Sequence, residues 1–174
     1  MKRWIPILML LAWAPGLMAS TPDGAQDPEM DRETMQQMVR HSSEVFRIED
    51  GVSIEEAIES MKLRANMRNF QEVADLPLSD QVTAMGGEGN YMRILAFCDA
   101  LIANEMVQHD IIFASFLPCR IAVVEDDEGQ GWIVTMNMDM MLHATDLPED
   151  LEATAREVRD TIYSIVDAGR TGDF

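Results

Sequence analysis

Residues 117–138 read LPCRIAVVEDDEGQGWIVTMNM, and this segment decides the class of fold. Two runs rich in β-branched residues, 117–125 and 132–138, flank an acidic turn that contains glycine. Such an arrangement is typical of a β-hairpin. Pro118 lies near the start of its strand, where a strand tolerates proline. The segment therefore predicts a pair of antiparallel strands.

Further strands are predicted on the N-terminal side of this hairpin. Residues 44–48 and 70–74 fit short strands, and residues 91–98 form an apolar run typical of a strand buried on both faces. Short helices are expected at residues 30–40 and directly after Asp99, whose carboxylate can cap a helix.

Two longer helices are predicted from capping signals and apolar stripes. Ser53 and Glu56 form a capping box before the first of them. Asp146 and Glu149 repeat this pattern before the last helix, for which Gly169 is the expected C-cap. This order of elements predicts an α+β fold, with a mainly antiparallel sheet and helices packed on one face.

The N-terminus has the layout of a secretory signal peptide. A positively charged start is followed by an apolar run over residues 4–14 and by a small residue at Ala19. The run is too short to cross a bilayer. We therefore expect a signal peptide at residues 1–19, a leader with a short helix at 20–43, and one α+β domain at 44–174. The expected location is periplasmic or secreted, with no membrane association after cleavage.

Charge narrows the classes of partner. The 174 residues include 31 Asp and Glu against 13 Lys and Arg, which gives a net charge of -18. Proteins that bind nucleic acids neutralise phosphates with Lys and Arg, so this balance argues against a nucleic-acid partner. An anionic membrane surface would also repel the chain.

The chain has two cysteines, Cys98 and Cys119. In an oxidising compartment two cysteines most often form a structural disulfide. Two other interpretations stay open: buried free thiols that act as small apolar side chains, and a thiolate pair for metal or redox chemistry. The sequence contains no CxxC motif, so a thioredoxin-like exchange site has no local support.

Residues 136–143 read MNMDMMLH and bring thioethers next to an imidazole. Thiols, thioethers and imidazoles are ligands that suit Cu(I), and a Met–His pair can also hold haem iron. The candidate metal ligands are therefore Cys98, Cys119, Met141 and His143, with copper or haem as the cofactor. The alternative is that methionine fills the core as a flexible apolar residue, while His143 bonds locally or lies in water.

Three segments resemble the domain of unknown function 302 family: FCDA at residues 97–100, LPCRI at residues 117–121, and the acidic hairpin that carries Gly129. The resemblance extends from about Glu44 to the C-terminus, although Asp99-Ala100 replaces the usual Asn-Pro. It implies a TATA-binding-protein-like α+β fold that is often dimeric, in an exported subgroup, and it implies no established activity. The family-motif residues of this chain are Phe97, Leu117, Pro118 and Arg120.

These observations favour a non-enzymatic exported protein that binds a ligand, a metal ion or haem, or that serves as an interaction domain. The alternative is a thiol-based redox or sulfur-handling enzyme that uses Cys98 and Cys119. A homodimer is a further arrangement to expect, since the resemblance implies it. The sequence assigns no catalytic residue.

Overall fold

The computed structural model describes residues 30–173, so the predicted signal peptide and the first part of the leader lie outside the described residues. The described part contains five strands, six α-helices and one 3-10 helix. In chain order they are α1 (Arg32–His41), β1 (Ser43–Arg47), α2 (Ile54–Met67), β2 (Gln71–Pro77), α3 (Leu78–Ala84), β3 (Met92–Cys98), α4 (Ala100–His109), the 3-10 helix (Ile111–Ser115), β4 (Cys119–Glu125), β5 (Gly131–Met136), α5 (Met138–Ala144) and α6 (Glu149–Thr171).

The five strands form one sheet in the order β1-β5-β4-β3-β2, and every neighbouring pair is antiparallel. The hairpin predicted from residues 117–138 is confirmed as β4 and β5, with Val123 opposite Ile133. These are two inner strands of the sheet. The predicted α+β class with an antiparallel sheet is therefore confirmed.

The two faces of the sheet differ in burial. Ile121, Val123 and Ile133 are fully buried, whereas their neighbours Ala122 and Val134 are only partly buried. Side chains alternate between faces along a strand, so the fully buried set marks one face as the core face. The helices α2 and α6 pack on this face and contribute Ala57, Ile58, Met61, Ile162, Ile165 and Val166 to the core.

Capping boxes were predicted at the N-termini of α2 and α6, and the structure shows only the first of them. The Ser53 hydroxyl accepts a hydrogen bond from the Glu56 amide at 3.1 Å, as the capping box predicts. The Asp146 cap is wrong, because α6 begins after Pro148 without a side-chain cap. Acidic residues in the first turn of α6 complement the helix dipole instead.

The sequence predicted Gly169 as the C-cap of the last helix, and this prediction is wrong. The helix α6 continues to Thr171, and Gly172 follows in the left-handed conformation with φ of 74°. Gly169 is buried inside the helix, where a Cβ would lie 2.5 Å from Met61 Cγ and 3.0 Å from Ile133 Cδ1. The missing side chain therefore allows α6 to lie directly against α2 and the sheet.

Replacing Gly169 by alanine tests this close approach. The added methyl group has to displace the Met61 side chain or separate α6 from α2, which we expect to cost about 1–3 kcal/mol of unfolding free energy. Urea unfolding followed by circular dichroism measures the change. Gly89→Ala is the matched control, since a Cβ there meets nothing within 4 Å. An equally small effect of both substitutions would show that Gly169 is not required for packing.

Within residues 30–173, no helix combines the length and the apolar character needed to cross a membrane. The longest helix, α6, has 23 residues and carries charged side chains along its length.

Candidate functional site

The two cysteines lie at the same end of neighbouring strands. The strand β3 ends at Cys98 and β4 begins at Cys119, and the register of the pair sets Phe97 opposite Cys119. The chain between the two strands forms α4 and the 3-10 helix. Residues far apart in sequence are therefore brought together at one end of the sheet.

Two aspartates start the helices of this connection. The Asp99 carboxylate accepts hydrogen bonds from the Leu101 amide at 2.8 Å and the Ile102 amide at 3.2 Å, which confirms its predicted role as a cap. The Asp110 carboxylate accepts from the Ile112 amide at 2.9 Å and begins the 3-10 helix. Both carboxylates are thus occupied by backbone amides.

An apolar cavity of about 80 Å³ lies at this end of the sheet. Aromatic side chains of the 3-10 region and apolar side chains of α6 enclose it, among them Phe113, Phe116, Ala155 and Val158. Its sulfur-bearing lining comprises Cys98, Cys119, Met106, Met136, Met138 and Met141. The lining is therefore almost entirely apolar, and sulfur is its main chemically distinctive element.

Both cysteines are free thiols in the structure. Cys119 is buried, while Cys98 is partly buried and donates a weak hydrogen bond to the Asp99 carbonyl oxygen at 3.6 Å. Cys98 follows Phe97, the residue that pairs with Cys119, and both thiols line the same cavity. The structural disulfide stays a prediction.

The environment keeps both thiols protonated at neutral pH. Burial raises the pKa of Cys119 to about 11, and the neighbouring Cys98 adds to the increase. The positive charge of Arg120 lowers the pKa of Cys119, but by less than burial raises it. Burial also raises the pKa of Cys98, and the nearby Asp99 carboxylate contributes. A nucleophilic thiolate is therefore disfavoured at both positions.

The structure brings three of the four predicted metal ligands to the cavity. Met141 lines it together with Cys98 and Cys119. His143 is exposed on α5 and lies outside the lining, and its Nδ1 is hydrogen-bonded to the Asp139 carbonyl oxygen at 2.6 Å. Among the described residues, no three His, Cys, Asp or Glu side chains are placed to share a metal ion. A metal ion in the cavity would therefore need thioether ligands.

Met136 and Met138 belong to the methionine-rich segment noted in the sequence but were not among the predicted ligands, and Met106 was not predicted as part of the site. The sequence predicted Met138 on a strand that continues past residue 136, but β5 ends at Met136 and Asn137 caps α5. The Asn137 side chain accepts a hydrogen bond from the Met140 amide at 2.8 Å. Asn is a favoured N-cap residue, so Asn137 before the methionine-rich run could have indicated the start of this helix.

A wider groove lies on the opposite, uncovered face of the sheet. It has a volume of about 1070 Å³, and its lining includes Ala122 and Val134 of the inner strands. Arg120 is exposed in this groove, whereas the other family-motif residues, Phe97, Leu117 and Pro118, are buried or partly buried. Among the motif residues, Arg120 thus presents a charge to solvent, while the other three contribute to packing.

Comparison with known proteins identifies the family of this α+β domain. Residues 46–169 match the model of the family described as domain of unknown function DUF302, and the chain belongs to that family. No curated protein matches the chain.

A solved structure shares the fold. It is the crystal structure of an uncharacterized conserved DUF302 protein from Bacillus stearothermophilus, with a TM-score of 0.61 and 18% sequence identity. The alignment covers 74% of this chain and 98% of that one. At this identity the likeness supports the fold alone.

Alkylation by iodoacetamide tests the two thiol environments. Only a thiolate reacts, so we expect Cys98 to react more slowly than free cysteine at neutral pH, and Cys119 to stay unmodified until the protein unfolds. Labelling of Cys98 should become faster as the pH rises, because more of the thiol is then ionised. Mass spectrometry after timed quenching gives both rates, and Cys98→Ser isolates the behaviour of Cys119.

Two results would contradict this description. Both thiols reacting at the rate of free cysteine would show that neither is buried. Absence of free thiols before reduction would establish the disulfide instead.

Proposed function

We propose that this chain is a non-enzymatic exported protein that binds Cu(I) in the cavity at the end of the sheet. The observation that carries the proposal is the convergence of two free thiols and a set of thioethers in one apolar cavity. Cu(I) prefers thiolate and thioether ligands, and the cavity offers few others. Cys98, Cys119 and Met141 are the proposed ligands.

Met141 is the preferred thioether because of its freedom to move. Met138 is buried and belongs to the main core cluster, so its side chain is held by packing. Met141 is only partly buried on α5, and an unbranched side chain can change rotamer at low cost. His143 is omitted, since its ring lies outside the cavity lining.

Hard cations are a poor fit to the same site. Mg²⁺ and Ca²⁺ require several oxygen ligands. The carboxylate in the lining belongs to Asp99, and it already accepts hydrogen bonds from two amides of α4. This contrast in donor chemistry favours a soft ion.

Size separates copper from haem, the other cofactor that the sequence suggested. Sites for small organic molecules usually have volumes of roughly 300–1,000 Å³. The sulfur-lined cavity has about 80 Å³, which is enough for a single ion and too small for a macrocycle. Haem would require the surrounding helices to move apart.

The raised pKa values of Cys98 and Cys119 weigh against the alternative of a redox or sulfur-handling enzyme. Such an enzyme needs a thiolate that is present at neutral pH. A metal ion does not need a thiolate that is already present, because it displaces the thiol proton when it binds to sulfur.

Competition for Cu(I) with a coloured chelator, under anaerobic conditions, tests the proposal. We expect the wild-type chain to bind one Cu(I), and Cys98→Ser and Cys119→Ala each to weaken binding by at least about 100-fold, the upper end of what loss of a mere outer-shell partner costs. His143→Ala should bind as the wild type does. Circular dichroism of each variant checks that it is folded.

The results of this competition experiment distinguish the proposed site from the alternatives. Unchanged affinity in both cysteine variants, or no binding by the wild type, would refute the proposed site. Weaker binding by His143→Ala would mean that the imidazole is a ligand after all.

A further inference from the structure

The sulfur-lined cavity and the open groove share a wall. Six residues line both spaces: Phe113, Phe116, Met136, Met141, Thr145 and Leu147. The cavity lies at the end of the sheet, and the groove reaches the same end along the uncovered face. The shared side chains thus lie between the cavity and the groove.

Methionines are distributed in order across this wall. Met140 lines the groove and not the cavity, Met136 and Met141 line both, and Met106 and Met138 line the cavity and not the groove. A series of thioethers therefore leads from the solvent side to the two thiols. The series crosses the wall at Met136 and Met141.

Two hydrogen bonds determine the positions of Met138 and Met140 at the start of α5. The Asn137 side chain caps α5 through the Met140 amide, and the Tyr163 hydroxyl accepts a hydrogen bond from the Met138 amide at 3.2 Å. The cap orders the first turn of α5, and the bond to Tyr163 ties that turn to α6. Met140 is thereby presented to the groove, while Met138 is held in the core.

The acidic residues around the groove favour the approach of a cation. Asp110 and Asp146 line it together with Arg120. The chain as a whole carries a net charge of -18, which raises the concentration of cations near its surface.

We infer that Met140 and Met136 form a thioether route by which Cu(I) passes from the groove to Cys98 and Cys119, an inference that rests on the proposed function. In each step one copper–sulfur bond to a thioether breaks as another forms. In the last step the bond to the Met136 thioether breaks as copper–thiolate bonds to Cys98 and Cys119 form, and each thiol releases its proton to water. Copper stays Cu(I) throughout, so the transfer requires no oxidant or reductant.

Rate and affinity respond differently if this route exists. Leucine has nearly the volume of methionine and lacks the sulfur, so Met136→Leu combined with Met140→Leu removes the two thioethers of the route, leaves the ligand Met141 in place and keeps the wall. We expect transfer of Cu(I) from a chelator to become about tenfold slower, with the equilibrium affinity within about twofold of the wild type. Stopped-flow absorbance of the chelator measures the rate, and the endpoint gives the affinity.

Met67→Leu is the matched control, since Met67 is exposed at the end of α2 and lines neither space. It should leave both rate and affinity unchanged. Each other outcome has one meaning. Absence of Cu(I) binding by the wild type refutes the proposed function itself. Wild-type binding with an unchanged rate in the double variant refutes the route alone. A parallel loss of affinity would make these methionines ligands, which also refutes the route.

Discussion

The contact of α6 with α2 and the sheet at Gly169 determines where the last helix lies. A single methyl group at this position would overlap Met61, so the helix can approach this closely only because glycine stands there. The helix α6 has 23 residues, and its N-terminal half contributes Ala155 and Val158 to the cavity wall. Packing at one end of α6 is therefore coupled to the shape of the site at the other.

The site follows from this packing and from strand order. Since β3 and β4 are neighbours, the end of one and the start of the other place Cys98 beside Cys119. The connection between the strands and the first turns of α5 and α6 close the space around them. Exclusion of water raises the pKa of both thiols, and it leaves sulfur as the chemistry that the cavity offers.

The elements that the sequence predicted well are those with a strong local signal. The hairpin at residues 117–138 and the capping box at Ser53 depend on neighbouring residues only, and both are confirmed. The helices α3 and α5 and the 3-10 helix were missed because each is short, and short segments carry little periodicity. Gly169 was misread because a glycine near a helix end usually stops the helix, whereas here tertiary packing requires it.

The candidate site was predictable in part. The proposed sulfur ligands could be recognised from residue type, and Cys98, Cys119 and Met141 do line one cavity. The place of His143 depended on the direction of α5, a helix that was not predicted because the preceding strand was expected to continue to residue 138. Met106 and Met136 enter the lining through tertiary contacts that no local pattern encodes.

X-ray absorption spectroscopy at the copper edge tests the central claim most directly, because it identifies the atoms bound to Cu(I) in the loaded protein. The account predicts a first shell made of sulfur, from Cys98, Cys119 and a thioether. A first shell containing nitrogen, with the outer scattering of an imidazole ring, would contradict it.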